Sequence, residues 1–284
     1  MKHFIDFHTD VTIDELDALI NTAIDLKAKT KASVPHPILS GKSLGMIFSK
    51  SSTRTRVSFE VGMYQLGGQA LFLSSDDIQL GRGESIEDTA KVLTRMLDCI
   101  MIRTFSHQDI VDLARYGDIP IINGLSDDQH PTQALADLIT IKEHKGSLKG
   151  LKLAYVGDGN NVANSLLQAC AKAGMHISVA TPSTHACPQF YVDQALADAK
   201  ITGSEILITE DPVAAIQALH LQAVGGVLPD GAVRQEREVL EDHADLLAAD
   251  PPQGCRVEAA DVGAVDDDGP CGRVEQAVDG ADQR

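Results

Sequence analysis

The sequence predicts an α/β protein with two doubly wound parallel-sheet domains, the second incomplete and followed by an aberrant acidic tail. First, short apolar runs alternate with amphipathic stretches as far as residue 217, a pattern typical of strands alternating with helices. Second, the segment GSLKG at residues 146–150 interrupts this alternation, which then begins again. Third, the composition changes abruptly after residue 217.

The first series of elements occupies residues 1–147, which we expect to form the first domain. An opening helix is expected over residues 13–28, with Asp10 or Thr12 as its cap. Apolar runs predict buried strands at residues 43–49, 70–74, 99–103 and 119–123. Helical patterns occur at residues 54–66, 86–97, 107–115 and, after the segment HPTQ, from Ala134 to about His144.

The second series occupies residues 148–217, which we expect to form a partial second domain. Strands are predicted at residues 151–158, 176–181 and 205–209, and helices at residues 161–173 and 188–200. The long helix that ends near His144 is the expected bridge between the two domains.

Composition excludes several classes of protein. The net charge of −17 argues against nucleic acid as a partner, although a local basic pocket can still bind an anion. The five cysteines form no C-x-x-C pair and the ten histidines show no ligand spacing, so we expect neither a disulfide framework nor a metal site. No apolar run approaches the ~18 residues of a membrane span. The N-terminal MKHFIDFHTD has no secretory pattern, so the expected location is cytoplasmic, with no membrane partner.

The segment SSTRTR at residues 51–56 follows a predicted buried strand and opens a predicted helix. The first N–H groups of a helix have no intrahelical partner and the helix dipole is positive there, so an anion is favoured. The hydroxyl groups of Ser52, Thr53 and Thr55 add donors, and Arg54 adds a planar guanidinium suited to phosphate. The alternative is an ordinary capped helix with solvated arginines.

Four segments in order carry a family resemblance: SSTRTRVSFE, MIRTFSH, HPTQALADL and GDGNNVANSL. Together they resemble the carbamoyltransferases, and most closely the ornithine carbamoyltransferases, over about residues 1–217. The resemblance implies a first domain that binds carbamoyl phosphate, a second that binds the amino acid, and no cofactor or metal.

The resemblance also implies roles in binding carbamoyl phosphate. The residues concerned are Ser52, Thr53, Arg54, Thr55, Gln79, Arg103, His130 and Gln133. The residues of the STRT segment would grip the phosphate, while Arg103 would reach both the phosphate and the carbamoyl oxygen. His130 and Gln133 would hold the carbamoyl group. Without the family motif, the alternative interpretation is that Arg103 is a surface charge and that His130 is a turn residue.

Two further roles follow from the resemblance. Asn161, in GDGNN, would hold the α-amino and carboxyl end of ornithine. Gln79 resembles a residue that a neighbouring subunit contributes, which implies a homotrimer or a multiple of it; otherwise it belongs to a polar surface loop.

The implied chemistry is acyl transfer, in which the ornithine δ-amine attacks the carbamoyl carbon, phosphate leaves and citrulline forms. Arg54, Arg103 and His130 are the expected catalytic residues, because fixed donors stabilise the tetrahedral oxyanion and hold the leaving phosphate. The product belongs to arginine biosynthesis or to the reverse, catabolic direction.

GDGNNV also half-resembles the dinucleotide fingerprint G-x-G-x-x-G, with Gly157 and Gly159 in place. Val162 stands where the third glycine or alanine belongs, and no acidic ribose partner follows ~20 residues later, which argues against a nicotinamide dehydrogenase. Two positions depart from the carbamoyltransferase pattern. Gln129 stands where a bulky residue is expected, and Ser49 where an acidic residue is common.

Residues 218–284 do not continue the resemblance. They carry 15 acidic residues against five arginines, and they contain no Phe, Tyr, Ile, Met, Lys, Asn, Ser or Thr. The family's D-x-x-x-S-M-G and H-C-L-P segments are both absent from the sequence. Back-translated family-like peptides, read on the opposite strand, resemble LQAVGGV, DLLAAD and DVGAVDDDG in this region. Our hypothesis is an antisense translation of the gene's own 3′ region; a frameshift or an unrelated acidic tail are the alternatives.

The sequence therefore predicts a gene for ornithine carbamoyltransferase and, for this chain, weak or no activity with carbamoyl phosphate binding retained. One alternative is a carbamoyltransferase for putrescine or an acylated ornithine. The other is an inactive remnant that binds phosphate ligands only. Loss of strands from the second sheet also predicts an exposed edge that promotes aggregation.

Overall fold

The computed structural model describes residues 2–75, 78–79 and 83–220, in which the first half of the chain builds a four-stranded parallel sheet. Its strands are β1 (Ser43–Phe48), β2 (Gln69–Ser74), β3 (Cys99–Arg103) and β4 (Ile121–Leu125). Their order is β2-β1-β3-β4, and every neighbouring pair is parallel. β2 lies on one side of β1, whereas β3 and β4 lie on its other side. The carboxyl ends of β1 and β3 therefore flank a topological switch point.

Helices cover both faces of this sheet because its side chains alternate between them. α4 (Ile86–Leu93) and α5 (His107–Tyr116) pack on the face that carries Ile47, Ile100 and Ile102. α3 (Thr53–Gln65) packs through Met63 on the opposite face, which carries Leu44, Met46 and Met101. The predicted parallel α/β architecture is confirmed for this half.

Two element boundaries differ from the prediction. β4 spans Ile121–Leu125 instead of residues 119–123, because Pro120 has no N–H to donate and can only precede the strand. α4 ends at Leu93 instead of residue 97, because the amides of Arg95 and Met96 bond three residues back and tighten the chain into a turn.

The opening helix is present as α2 (Ile13–Lys31), preceded by one turn of helix, α1 (Phe7–Asp10). Thr12 is its cap: the Thr12 hydroxyl accepts from the amide of Glu15, whose carboxylate accepts from the amide of Thr12. The alternative cap, Asp10, instead accepts a 2.6 Å hydrogen bond from the amide of Ile5.

The N-terminal strap, from Phe4 to His8, contacts both halves of the molecule. The amide of Phe4 donates to the carbonyl of Ile121 on β4 at 2.8 Å. His8 Nδ1 lies 2.9 Å from Asp198 Oδ2, and the carbonyl of His8 accepts from Lys172 Nζ at 3.0 Å. Lys172 and Asp198 are themselves paired at 3.0 Å, and both side chains are buried. The strap therefore ends on a buried charge cluster.

α6 (Pro131–Lys145) leads from the first sheet to the second. It begins three residues before the predicted Ala134, because proline fits the first turn of a helix, where its missing N–H costs nothing. Gly146 ends it with a left-handed φ of 78°. Its buried Ala134 and Leu138 pack in the core of the second half, as a bridging helix requires.

The second half contains a three-stranded parallel sheet in the order β5-β6-β7. Its strands are β5 (Lys152–Val156), β6 (His176–Ala180) and β7 (Ile206–Thr209), and its helices are α7 (Asn161–Ala173), α8 (Gln189–Thr202) and α9 (Pro212–His220). Within the described residues β5 pairs only with β6, so its other edge carries no strand there. The predicted tail at 218–284 lies outside the described residues from 221 onward, and the boundary at residue 147 stays a prediction.

Among the helices described, none has the length together with the apolar character that a bilayer crossing requires.

Candidate active site

Three strand ends of the first sheet meet at one edge. Phe48, the last residue of β1, lies beside Arg103, the last residue of β3. The amide of Ser49 donates to the carbonyl of Arg103 at 2.9 Å, and the amide of Thr104 donates to the carbonyl of Leu125, the last residue of β4, at 2.9 Å. The loops after β1, β3 and β4 therefore start side by side at the switch point, where ligands bind in open α/β sheets.

The loop after β1 becomes the N-terminus of α3. Ser52 is the N-cap, and its hydroxyl accepts from the amide of Thr55 at 3.3 Å and lies 3.0 Å from the Thr55 hydroxyl. Thr53 and Arg54 are exposed, whereas Ser52 and Thr55 are half-buried. The helix thus presents backbone N–H groups, hydroxyl groups and one guanidinium to the same edge.

Arg103 extends from β3 toward this helix start. Its Nη1 donates to Thr55 Oγ1 at 3.4 Å, while its Nε is buried and has no hydrogen-bond partner among the described residues. Burial and, to a smaller extent, the charge of Arg54 lower the pKa of Arg103. Two like charges near each other and a donor without a partner are unfavourable alone, so the arrangement favours an anion between them.

The loop after β4, residues 126–130, ends at His130, the N-cap residue of α6. Burial, with a smaller contribution from the charge of Arg103, lowers the pKa of His130 to about 4. The imidazole is therefore neutral at neutral pH, with one N–H donor and one acceptor nitrogen. Its Nδ1 lies 3.3 Å from the hydroxyl of Thr132, so the tautomer follows the direction of that hydrogen bond.

Buried hydrogen bonds hold this loop in shape. The Ser126 amide donates to the carbonyl of Gln129 at 2.8 Å, and the Gln129 amide donates back to the Ser126 hydroxyl at 3.1 Å. His107 Nδ1 lies 2.9 Å from the same hydroxyl. Both Ser126 and Gln129 are fully buried.

One face of α7, from the second half, contacts the same loop. Asn161 donates through Nδ2 to the carbonyl of Ser126 at 2.7 Å, and Asn164 donates through Nδ2 to the carbonyl of Asp128 at 3.0 Å. Ser165 Oγ accepts from the amide of His130 at 2.8 Å. These three residues are spaced i, i+3 and i+4, so they lie on one side of the helix. The two halves thus meet at the loop that positions His130.

Two sequence profiles match the chain. One is described as "Aspartate/ornithine carbamoyltransferase, carbamoyl-P binding domain" and covers residues 2–143; the other, the "Asp/Orn binding domain" of the same family, covers residues 149–224. An ornithine carbamoyltransferase from Carboxydothermus hydrogenoformans is 54% identical over 207 residues, which are 73% of this chain and 67% of that protein. The chain belongs to the aspartate/ornithine carbamoyltransferase family. The resemblance predicted from the four motifs is confirmed.

Solved structures of family members show the same fold. An ornithine carbamoyltransferase from Pyrococcus furiosus matches with a TM-score of 0.73 and 48% identity, covering 75% of this chain and 68% of that one. One from Campylobacter jejuni matches with a TM-score of 0.70 and 41% identity, covering 76% and 69%. The chain spans about two thirds of the length of the curated family members it matches.

The remaining family-derived residues have different surroundings. Gln133 is exposed one turn into α6, and its Nε2 donates to Asp137 Oδ1 at 3.0 Å. Gln79 is exposed on the loop after β2, and its carbonyl accepts from the amide of Glu84 at 3.1 Å. Their roles in substrate binding stay predictions, as do those of the residues at the strand ends.

Three residues that hold the loop of the family's HPTQ motif are not among those predicted from the sequence. They are Ser126, Asn164 and Ser165, and all three are buried and polar. A usable signal was present: α7 is otherwise rich in Ala and Leu, so polar residues at i, i+3 and i+4 on a buried helix indicate a specific partner.

Within the described ranges no group of three or more His, Cys, Asp or Glu side chains is placed to hold a metal ion.

Proposed function

We propose that the chain is built to bind carbamoyl phosphate and to transfer its carbamoyl group to ornithine. The observation that carries this proposal is the position of Arg103 at the switch point: it bonds to Thr55 at the N-terminus of α3, and its charge acts on both Arg54 and the neutral His130 at the N-terminus of α6. Similarity to ornithine carbamoyltransferases over both matched domains supports the choice of substrates.

The phosphate binds at the N-terminus of α3. Its oxygens accept from the free N–H groups of the first turn, from the hydroxyl groups of Ser52, Thr53 and Thr55, and from Arg54. Arg103 Nε then gains the acceptor that it lacks among the described residues. The two positive charges also stabilise the phosphate as it leaves.

The carbamoyl group extends from the phosphate toward the start of α6. Arg103 and the N–H of the neutral His130 donate to the carbamoyl oxygen, and Gln133 contacts the amide nitrogen. When the neutral ornithine δ-nitrogen attacks the carbamoyl carbon, a C–N bond forms and the C–O bond to phosphate breaks. The proton that the nitrogen loses passes to the departing phosphate. The oxygen becomes an oxyanion in between, so donors already aimed at it lower the barrier.

The amino-acid side of the site is less complete. Asn161 stands at the start of α7 and has an amide oxygen and a second N–H with which to hold the α-amino and carboxyl groups of ornithine. No segment of the printed sequence has the D-x-x-x-S-M-G or H-C-L-P pattern. We therefore infer that this chain binds carbamoyl phosphate and forms little or no citrulline.

We also infer a homotrimer or a multiple of it in the cytoplasm, acting in arginine metabolism, with Gln79 reaching the site of a neighbouring subunit. The exposed position of Gln79, on the loop after β2, is compatible with such a contact. Sedimentation velocity of the full chain checks the subunit number.

The test is a binding and turnover experiment on the full chain. Calorimetry is expected to show tighter binding of carbamoyl phosphate than of inorganic phosphate, because the phosphate alone lacks the carbamoyl contacts. Citrulline formation from carbamoyl phosphate and ornithine is expected to be at or near background. Equal affinity for the two phosphates contradicts the proposal, while turnover with putrescine or an acylated ornithine in place of ornithine changes the assigned acceptor.

A further inference from the structure

Ser165 is the one side chain of α7 that bonds directly to the residue bearing the imidazole. Its hydroxyl accepts from the His130 amide at 2.8 Å and donates to Gln129 Oε1 at 2.6 Å. Ser165 is fully buried, so water does not replace either partner. The hydroxyl therefore accepts one hydrogen bond and donates another, and its two partners are consecutive residues of one loop.

The backbone of His130 is fixed on both sides as a result. Its amide is held by Ser165, and its carbonyl accepts from the amides of Gln133 and Ala134 at 3.2 and 3.3 Å. A residue with fixed φ and ψ has few allowed side-chain rotamers, so the backbone anchor also limits where the ring points.

Gln129 needs Ser165 as well. Its side chain is fully buried, and its Nε2 has no hydrogen-bond partner among the described residues. The hydrogen bond that its Oε1 accepts from Ser165 therefore anchors the side chain. Without the serine hydroxyl, an amide N–H and a carbonyl oxygen would both be buried without partners, which is costly enough to move the loop.

We propose that Ser165 is a positioning residue: its hydroxyl aims the His130 ring at the carbamoyl group from across the junction of the two halves. This inference rests on the proposed function, in which His130 donates to the carbamoyl oxygen. It assigns to α7 a second task, because the same helix begins at Asn161, the expected ornithine contact.

The contacts to the phosphate and the contacts to the carbamoyl group come from different residues for the most part. The proposal can therefore be tested by measuring binding alone. In the proposed function, Ser52–Thr55 and Arg103 bind the phosphate, whereas Ser165 acts on the carbamoyl group through the loop that carries His130. We expect Ser165→Ala to weaken carbamoyl phosphate binding by about tenfold while inorganic phosphate binds within about twofold of wild type. Calorimetry on the full chain measures both.

Ser178→Ala is the matched control. Ser178 is also a fully buried serine of the second half, but its hydroxyl has no hydrogen-bond partner among the described residues. It is expected to leave both affinities unchanged. Ser165→Cys keeps the size of the side chain with a weaker donor and acceptor, so it should lie between wild type and Ser165→Ala, and it carries the test if the alanine variant does not fold.

A spectroscopic readout is independent of ligand. In chains labelled with ¹³C-histidine, the His130 resonance, assigned by its loss in His130→Gln, should stay nearly constant between about pH 7.5 and pH 5.5 in wild type. In Ser165→Ala it should begin to titrate in this range, because a displaced ring is more hydrated and its pKa rises toward the ordinary value.

The outcomes separate the two proposals. If wild type prefers carbamoyl phosphate but Ser165→Ala keeps that preference and an unchanged His130 resonance, the positioning role is wrong and the proposed function stands. If wild type binds both phosphates equally, the proposed function fails, and the positioning role fails with it. Equal losses for both phosphates in Ser165→Ala indicate general loosening of the fold and also overturn the positioning role.

Discussion

The two sheets contribute unequally to the proposed site. At the edge of the first sheet, the Ser52–Thr55 turn, Arg103 and His130 come from three neighbouring strand ends that the described residues contain in full. The second half contributes Asn161 at the start of α7, while β5 keeps one edge without a strand among the described residues. We therefore expect binding of the anion to depend on the first half, and binding of ornithine to depend on the second.

The largest expected effect concerns the first half. Arg103→Ala should weaken carbamoyl phosphate binding by about a thousandfold, because it removes a half-buried charge that faces the phosphate. Without ligand, the free energy of unfolding should change little or rise, since the repulsion between Arg103 and Arg54 disappears. Calorimetry and urea unfolding measure the two quantities.

Arg56→Ala is the control for that variant. Arg56 lies on the same helix start, but it bonds to Glu60 at 3.0 Å and stacks on the Phe72 ring at 3.7 Å. Its removal should leave the affinity for carbamoyl phosphate within about twofold of wild type. Comparable losses in both arginine variants would mean that only the net charge of α3 matters and would refute a built phosphate site.

The next effect concerns the second half. Asp198→Ala should reduce the free energy of unfolding by about 3 kcal/mol, because it leaves the buried Lys172 ammonium without its carboxylate and releases His8. Carbamoyl phosphate binding should be unchanged under conditions where the variant is folded. Asp193→Ala, at an exposed position on the same helix that bonds to Gln189, is the control. Loss of binding in folded Asp198→Ala would show that the first half depends on the second.

A third effect is on the pH dependence of stability and arises at the junction. The pKa of His130 is lowered to about 4 by burial and the Arg103 charge, so the unfolded chain binds a proton that the folded chain does not. Stability should therefore fall by roughly 1–2 kcal/mol between about pH 7 and pH 5 through this residue. Urea unfolding should show that His130→Gln flattens this fall, while His185→Gln, at an exposed position, does not. Identical slopes in all three proteins would contradict a neutral, half-buried His130.

The smallest effect tests the edge of the second sheet at β5, beside which the described part of the chain has no strand. Val156, at the end of β5, is 51% exposed, and an unpaired strand edge favours association between chains. Val156→Lys should slow the growth of light scattering a few-fold and leave carbamoyl phosphate binding unchanged. Ile201→Lys, on α8 away from the sheet, is the matched control. Equal improvement by both would assign the association to general hydrophobicity and not to the β5 edge.

Local chemistry explains which parts of the fold were predictable. Buried strands such as Cys99–Arg103 and the Thr12 cap follow from apolar runs and capping residues, and the structure has them where the sequence indicates. The starts of α6 and β4 differ from the prediction, because Pro131 occupies the first position of α6 and Pro120 directly precedes β4.

The proposed site divides in the same way. The SSTRTR turn could be predicted because its anion preference depends on a single strand–helix connection. The hydrogen bonds that join Ser165 and Asn164 to the loop of His130 could not, because their partners are 35 and 36 positions away in the chain. No local pattern fixes such a register; it follows only from the packing of α7 against α6 and the loop after β4.

The contacts of the N-terminal strap also indicate the order in which parts of the fold form during synthesis. His8 and Asp198 are 190 positions apart, yet they are bonded in the folded chain. At synthesis rates of about 5–20 residues per second, roughly 10–40 s pass between the appearance of one partner and the other. During that interval the strap and the β4 edge it joins can meet, but the charge cluster on α7 and α8 cannot close. The contact between the strap and α8 is thus among the last that the described part of a nascent chain completes.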